Sequence, residues 1–134
     1  MLSSDWTPIR ALVRLVVEQV GPWLARCSTL EIAALAAMAG IAEEVLFRGT
    51  IQVTVGRSWG AGWALLAGSV LFGLVHYASR AYAVVAGVMG LYLGTLFLLQ
   101  GNLLTPIVTH SLYDLAALLS VSRRYRTLLL SSPE

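Results

Sequence analysis

Apolar residues recur at helical spacing from near the start of the chain. Ile9, Leu12, Val13, Val16, Val17 and Val20 follow the rhythm of one helix face, while Arg10, Arg14 and Glu18 fall on the other. This pattern predicts an amphipathic helix that lies at a membrane interface rather than crossing it, with Trp6 and Trp23 as flanking interfacial aromatics. Further along, the amphipathic rhythm gives way to long apolar runs. A spanning helix needs about 20 mostly apolar residues, and four stretches meet that need: 30–55, 59–78, 81–100 and 105–121.

The breaks between these runs are short: Gly56-Arg57-Ser58, Ser79-Arg80 and Gln100-Gly101-Asn102. Such short connections predict antiparallel packing of neighbouring helices. Thr105 reads as an N-cap and Pro106 as the first residue of the last helix. Gly62, Gly68, Gly73, Gly87, Gly90 and Gly94 are scattered through the second and third runs, where small residues let membrane helices approach closely. The expected fold is therefore all-α: a polytopic membrane helical bundle of about four spanning helices, preceded by an amphipathic interfacial helix. The expected divisions are an amphipathic segment 1–27, a membrane core 28–122 and a basic tail 123–134.

Composition agrees with this. The chain of 134 residues is 57% apolar and 12% charged, with a mean hydropathy of +0.76, where a soluble domain carries about 25% charged residues. A net charge of +2 is too small to argue for nucleic acid as a partner. The single Cys27 excludes an intrachain disulfide and a multi-cysteine metal site. No cleavable signal peptide is evident in the first residues. Under four spans, Arg10, Arg14, Arg26, Arg80, Arg123, Arg124 and Arg126 share one side and only Arg57 lies opposite. The positive-inside rule then puts both termini in the cytoplasm.

Six ionisable residues do not belong in such apolar runs: Glu43, Glu44, Arg48, His76, His110 and Asp114. Each charge at bilayer depth costs roughly 2.5–3.5 kcal/mol, so these groups are expected to face one another rather than lipid. Glu44 and Arg48 are four apart and share a helix face, as do Phe72 and His76, and His110 and Asp114. Glu43 is offset about 100° from Glu44 and points elsewhere. Taken singly, each pair reads as helix-to-helix glue. Together, on three helices, they read as one site. Carboxylate and imidazole support general-base activation of a water, completed by donors to an oxyanion. The same groups suit a divalent metal such as zinc, although the HExxH motif is absent. Ser69, Ser111 and Cys27 lack the setting of a nucleophile.

The three motifs, "EEVLFR" (Glu43, Glu44, Arg48), "FGLVH" (Phe72, His76) and "HSLYD" (His110, Asp114), resemble in order and spacing the EExxxR, FxxxH and HxxxN/D motifs of the CPBP family. These are the CAAX protease and bacteriocin-processing membrane proteins, also called the Abi family. The resemblance covers roughly residues 30–122. It implies an α-helical intramembrane endopeptidase of a bacterial plasma membrane. By that resemblance Glu43 and His76 activate the hydrolytic water, His110 and Asp114 stabilise or position the oxyanion, and Glu44, Arg48 and Phe72 support the site. The family has been described both as metal-dependent and as metal-independent; a metal, if used, would fall to Glu43, His76, His110 and Asp114. The implied partners are membrane lipid and a membrane-associated protein or peptide substrate. Two other readings use the same cluster: a non-catalytic membrane protein with a partner-binding or bacteriocin-immunity role, and a small ion or proton pathway. Within the site, Glu43, His76 and His110 are expected to enter one cavity, Glu44 and Arg48 to form a buried ion pair, and Asp114 to hold a ring nitrogen of His110.

Overall fold

The computed structural model describes residues 7–131, which are helical throughout their regular structure. Six α-helices follow one another: α1 (Thr7–Leu24), α2 (Thr29–Glu44), α3 (Val53–Trp59), α4 (Ala61–Val75), α5 (Arg80–Gln100) and α6 (Leu104–Ser131), with a π-helical segment (Val45–Gln52) joining α2 to α3. The first predicted run is thus one continuous helical path from Thr29 to Trp59, with a π-helical middle. Its start is set by a capping box. The Ser28 hydroxyl accepts from the Glu31 amide, and the Glu31 carboxylate accepts from the Ser28 amide at 2.7 Å.

Three boundaries differ from expectation. The predicted break at Gly56-Arg57-Ser58 is helical; Gly56 faces Ala64, and the chain turns instead at Gly60, whose φ of +88° suits a residue without Cβ. The last helix starts at Leu104, because the Asn102 side chain, not Thr105, caps it by accepting from the Thr105 amide at 3.3 Å. Pro106 fits the first turn, where no intrahelical N–H bond is lost. The same helix runs ten residues past Val121 to Ser131, so Arg123, Arg124 and Arg126 stand on helix rather than on a tail.

The first helix is part of the bundle. It packs against the C-terminal part of α6, with Val17 and Leu24 buried and Gly21 against Tyr125. Ser122 donates to the Leu24 carbonyl, and Arg126 donates to the carbonyls of Ala25 and Cys27 at 3.0 and 3.1 Å, tying down the turn that ends α1. Trp23 is largely exposed, while Trp6 lies outside the described residues.

Two helices, α5 and α6, are long and apolar enough to cross a membrane. The distribution of side chains says the same of the protein as a whole. Met38, Val84, Val88, Leu99 and Leu112 point outward, while Glu44, Arg48 and His110 are buried. An apolar exterior around a charged interior suits hydrocarbon as solvent, and the protein is an integral membrane protein.

The tightest pairings are α4 with α5 and α2 with α6. Glycine makes both close. A Cβ on Gly73 would lie 2.6 Å from the Ala83 carbonyl oxygen, and one on Gly40 would collide with the Ser111 hydroxyl. Gly62, by contrast, has nothing within 4 Å. Gly73→Ala is therefore expected to destabilise by about 1–3 kcal/mol, since a backbone oxygen cannot swing aside. Gly62→Ala is expected to be neutral or stabilising by up to ~1 kcal/mol. Thermal unfolding of the two variants in detergent checks the contrast.

Candidate active site

The site is built where the π-helical segment meets α4, α5 and α6. Glu44 is 0% exposed and Arg48 is 1% exposed. Arg48 Nη1 donates to Glu44 Oε1 at 2.7 Å, and Nη2 donates to the Gly90 carbonyl, also at 2.7 Å. Removing two charges from water is costly and is offset only by close geometry and further hydrogen bonds. The Gly90 carbonyl and the Phe72 ring, whose centroid lies 4.9 Å from the Arg48 guanidinium carbon, supply the remaining contacts.

One turn further along, Gln52 Nε2 donates to the Gly94 carbonyl at 3.1 Å. Arg48 and Gln52 thus lie over Gly90 and Gly94 as two rungs between the π-helical segment and α5. A Cβ on Gly94 would fall 2.9 Å from Gln52 Oε1, and one on Gly90 would fall 3.1 Å from Phe72 Cβ. The two glycines therefore leave room for the neighbouring segments to approach α5's backbone. Single π-helical segments are frequent at functional sites, and here one carries both Arg48 and Gln52.

Glu44 Oε1 accepts a second bond, from His110 Nδ1 at 2.7 Å. A carboxylate offers only acceptors here, so the ring donates its Nδ1–H and turns Nε2 toward the site. That nitrogen lies 3.4 Å from Asp114 Oδ2 and 3.8 Å from Glu43 Oε2. The close hold on His110 is therefore Glu44, one helix away, rather than Asp114, one turn along α6. An i,i+4 neighbour reaches the ring edge, but a carboxylate from a facing helix meets it directly.

His76 closes the arrangement from α4. It sits just past the helix end, at φ −93° and ψ 19°, and its Nδ1 lies 2.8 Å from the Phe72 carbonyl oxygen. That oxygen lies in the last turn of α4, one turn before His76. A carbonyl only accepts, so Nδ1 carries the proton, and Nε2 faces Glu43 Oε2 at 3.5 Å. Phe72 is the packing centre: it meets Phe47 edge-on with centroids 5.0 Å apart, His76 at 4.5 Å and His110 at 5.7 Å.

Glu43, His76, His110 and Asp114 thus come together from three helices. Glu43 Oε2 is buried and accepts no hydrogen bond among the described residues, although it lies near two imidazole nitrogens. A cavity of about 50 Å³, enough for water, is lined by His76, His110, Asp114, Tyr82 and Tyr113; of the three residues expected to share a cavity, the two histidines line it and Glu43 does not. Among the described residues no three His, Cys, Asp or Glu side chains are arranged to hold a metal ion. His110 Nδ1 is given to Glu44, and the neighbouring pairs of site atoms on Glu43, His76, His110 and Asp114 lie 3.4–3.8 Å apart.

Residues 25–116 match the family described as "Type II CAAX prenyl endopeptidase Rce1-like". The chain belongs to this family. The match covers α2 through the site-bearing turns of α6, and hence every residue of the cluster. No curated protein and no solved structure matches the chain.

The sequence alone passed over Gln52, and it marked Gly90 and Gly94 as close-packing residues without showing that their carbonyls are acceptors. Gln52 left a readable sign, being a polar residue four positions beyond Arg48 in an apolar run. The carbonyls left none, because every residue has one. The ion pair predicts a contrast between neighbouring residues. Arg48→Ala leaves Glu44 buried and uncompensated, a loss of roughly 3–5 kcal/mol, and should lower the yield of monodisperse protein. Glu43→Ala removes no close partner and should leave that yield near wild type. Size-exclusion profiles at matched expression make the comparison.

Proposed function

We propose that this protein is an intramembrane endopeptidase of the CAAX type, which hydrolyses a peptide bond of a membrane-associated substrate with a water held among Glu43, His76 and His110. The observation that carries this reading is Glu43 Oε2: a buried, unpaired carboxylate oxygen at 3.5 and 3.8 Å from the Nε2 atoms of two histidines on two other helices. Those separations are too long for direct hydrogen bonds and suited to a shared water or reacting group.

In the proposed reaction Glu43 takes a proton from the water while the water oxygen attacks the substrate carbonyl carbon. The carbonyl electron pair moves to oxygen, giving a tetrahedral oxyanion. Glu43 then delivers its proton to the amide nitrogen, the C–N bond breaks, and acid and amine products leave. His76, its Nδ1–H spent on the Phe72 carbonyl, offers Nε2 to the second hydrogen of the water. His110 faces the developing oxyanion. In its imidazolium form Nδ1–H is given to Glu44 and Nε2–H is aimed at the site, beside Asp114. Glu44, Arg48 and Phe72 are positioning residues that act through His110 and His76.

The proposed topology has four spans: the helical path 29–59, α4, α5 and α6. At 15 residues α4 is shorter than a full span, and His76 ends it within the membrane, where irregular backbone is tolerated when it lines a cavity. Arginine placement favours both termini in the cytoplasm.

Purified protein in nanodiscs, offered a prenylated peptide with a CAAX-type tail, tests the reading. Glu43→Gln and His76→Ala are expected to lower the cleavage rate by about 10²–10⁴-fold, with unchanged elution. Asp114→Asn should retain substantial cleavage and Asp114→Ala should lose most of it, because Asn keeps a polar group beside His110 Nε2. Equal loss in both Asp114 variants would make its negative charge essential. Full cleavage by Glu43→Gln would remove the proposed base.

A further inference from the structure

A second concavity lies away from the carboxylate–histidine cluster, between α1 and the C-terminal end of α6. Its volume is about 850 Å³, and it is lined by the arginines Arg10, Arg14, Arg123 and Arg124 and by the apolar Val13 and Val17. All four arginines are exposed, and Val17 is buried. One acid, Glu18, joins the lining and is bound by Arg14 at 2.7 Å. Four positive charges against one negative leave the groove at +3. Among the described residues Arg10, Arg123 and Arg124 make no ion pair.

The place of the groove along the bundle identifies what it meets. Arg123 is the twentieth residue of α6, counted from Leu104. About 20 residues cross the hydrocarbon, so α6 reaches the headgroup layer where its arginines begin. There α1 runs against it, with its own arginines flanking an apolar stripe. Cations above apolar walls, at the depth of lipid phosphate, complement an anionic amphiphile. A free anion would make no use of Val13 and Val17, and a soluble acidic peptide would not be concentrated at that depth.

We propose that this groove binds an anionic phospholipid, its phosphate held by Arg10, Arg14, Arg123 and Arg124 and its chain lying against Val13 and Val17. The site joins α1 to α6 through lipid, in addition to the direct ties from Ser122 and Arg126. It does not depend on the chemistry at Glu43, and its test reads no cleavage.

The test is native mass spectrometry of the full chain released from micelles doped with equal amounts of phosphatidylglycerol and phosphatidylcholine of identical chains. Wild type should retain phosphatidylglycerol preferentially. Each arginine changed to Gln should weaken that preference by about fivefold, starting with Arg10→Gln and Arg124→Gln, which are exposed and make no ion pair. Val13→Trp leaves every charge in place but fills the apolar wall, and should also reduce retention. Unchanged elution and helicity certify each variant as folded. Equal retention of the two lipids would overturn the proposal. So would Val13→Trp binding like wild type, which would reduce the groove to diffuse surface charge. Displacement of the lipid by inorganic phosphate or by a soluble acidic peptide at matched concentration would also overturn it, assigning the groove to a simple anion or a protein partner.

Discussion

Glu44 Oε1 holds two cations or donors at once: the Arg48 guanidinium from its own helical path and the His110 ring from α6, each at 2.7 Å. Arg48 in turn reaches the Gly90 carbonyl of α5. One buried carboxylate oxygen and one guanidinium thereby connect α2, the π-helical segment, α5 and α6. In hydrocarbon there is little hydrophobic force between helices, so packing and hydrogen bonds of this kind set their arrangement. Loss of either charge leaves the other without a solvent to receive it.

The same interaction prepares the chemistry. A histidine free to rotate presents either nitrogen. With Nδ1–H given to Glu44, His110 presents only Nε2 to the Glu43 side. His76 is fixed by a different device, the Phe72 carbonyl in the last turn of α4. Phe72 itself packs against both rings and against Arg48. The adjacent acids of the opening motif therefore divide their work by direction. Glu44 points into the bundle, where Oε1 accepts from both Arg48 and His110 while Oε2 has no partner among the described residues, and Glu43 turns its own unpaired Oε2 toward the imidazoles of His76 and His110.

Glycine makes these contacts reachable. Gly40, Gly73, Gly90 and Gly94 stand where a Cβ would meet a neighbouring helix within about 3 Å. Two of them, Gly90 and Gly94, also bare the carbonyls that Arg48 and Gln52 use. Close helix approach and the polar cluster are one design, since the same two glycines let the π-helical segment come near and present the carbonyls its side chains bind.

The all-helical class, the order of the apolar runs and the six intramembrane ionisable residues were legible from residue types alone. Hydropathy and i,i+4 spacing depend on local sequence and on the cost of charge in lipid, which needs no fold to compute. Pairings such as Glu44 with Arg48 were legible for the same reason, because helix geometry brings them together. The tertiary structure decided what crosses between helices. It gave His110 Nδ1 to Glu44 and left Nε2 beside Asp114, bound Arg48 and Gln52 to the carbonyls of Gly90 and Gly94, moved the turn from Gly56 to Gly60, and laid α1 along an α6 that runs to Ser131. Each of these depends on the axial offset and rotation of one helix against another, and on backbone groups that every residue carries. A periodic pattern records which face is apolar; it holds no record of which carbonyl on a neighbouring helix stands opposite.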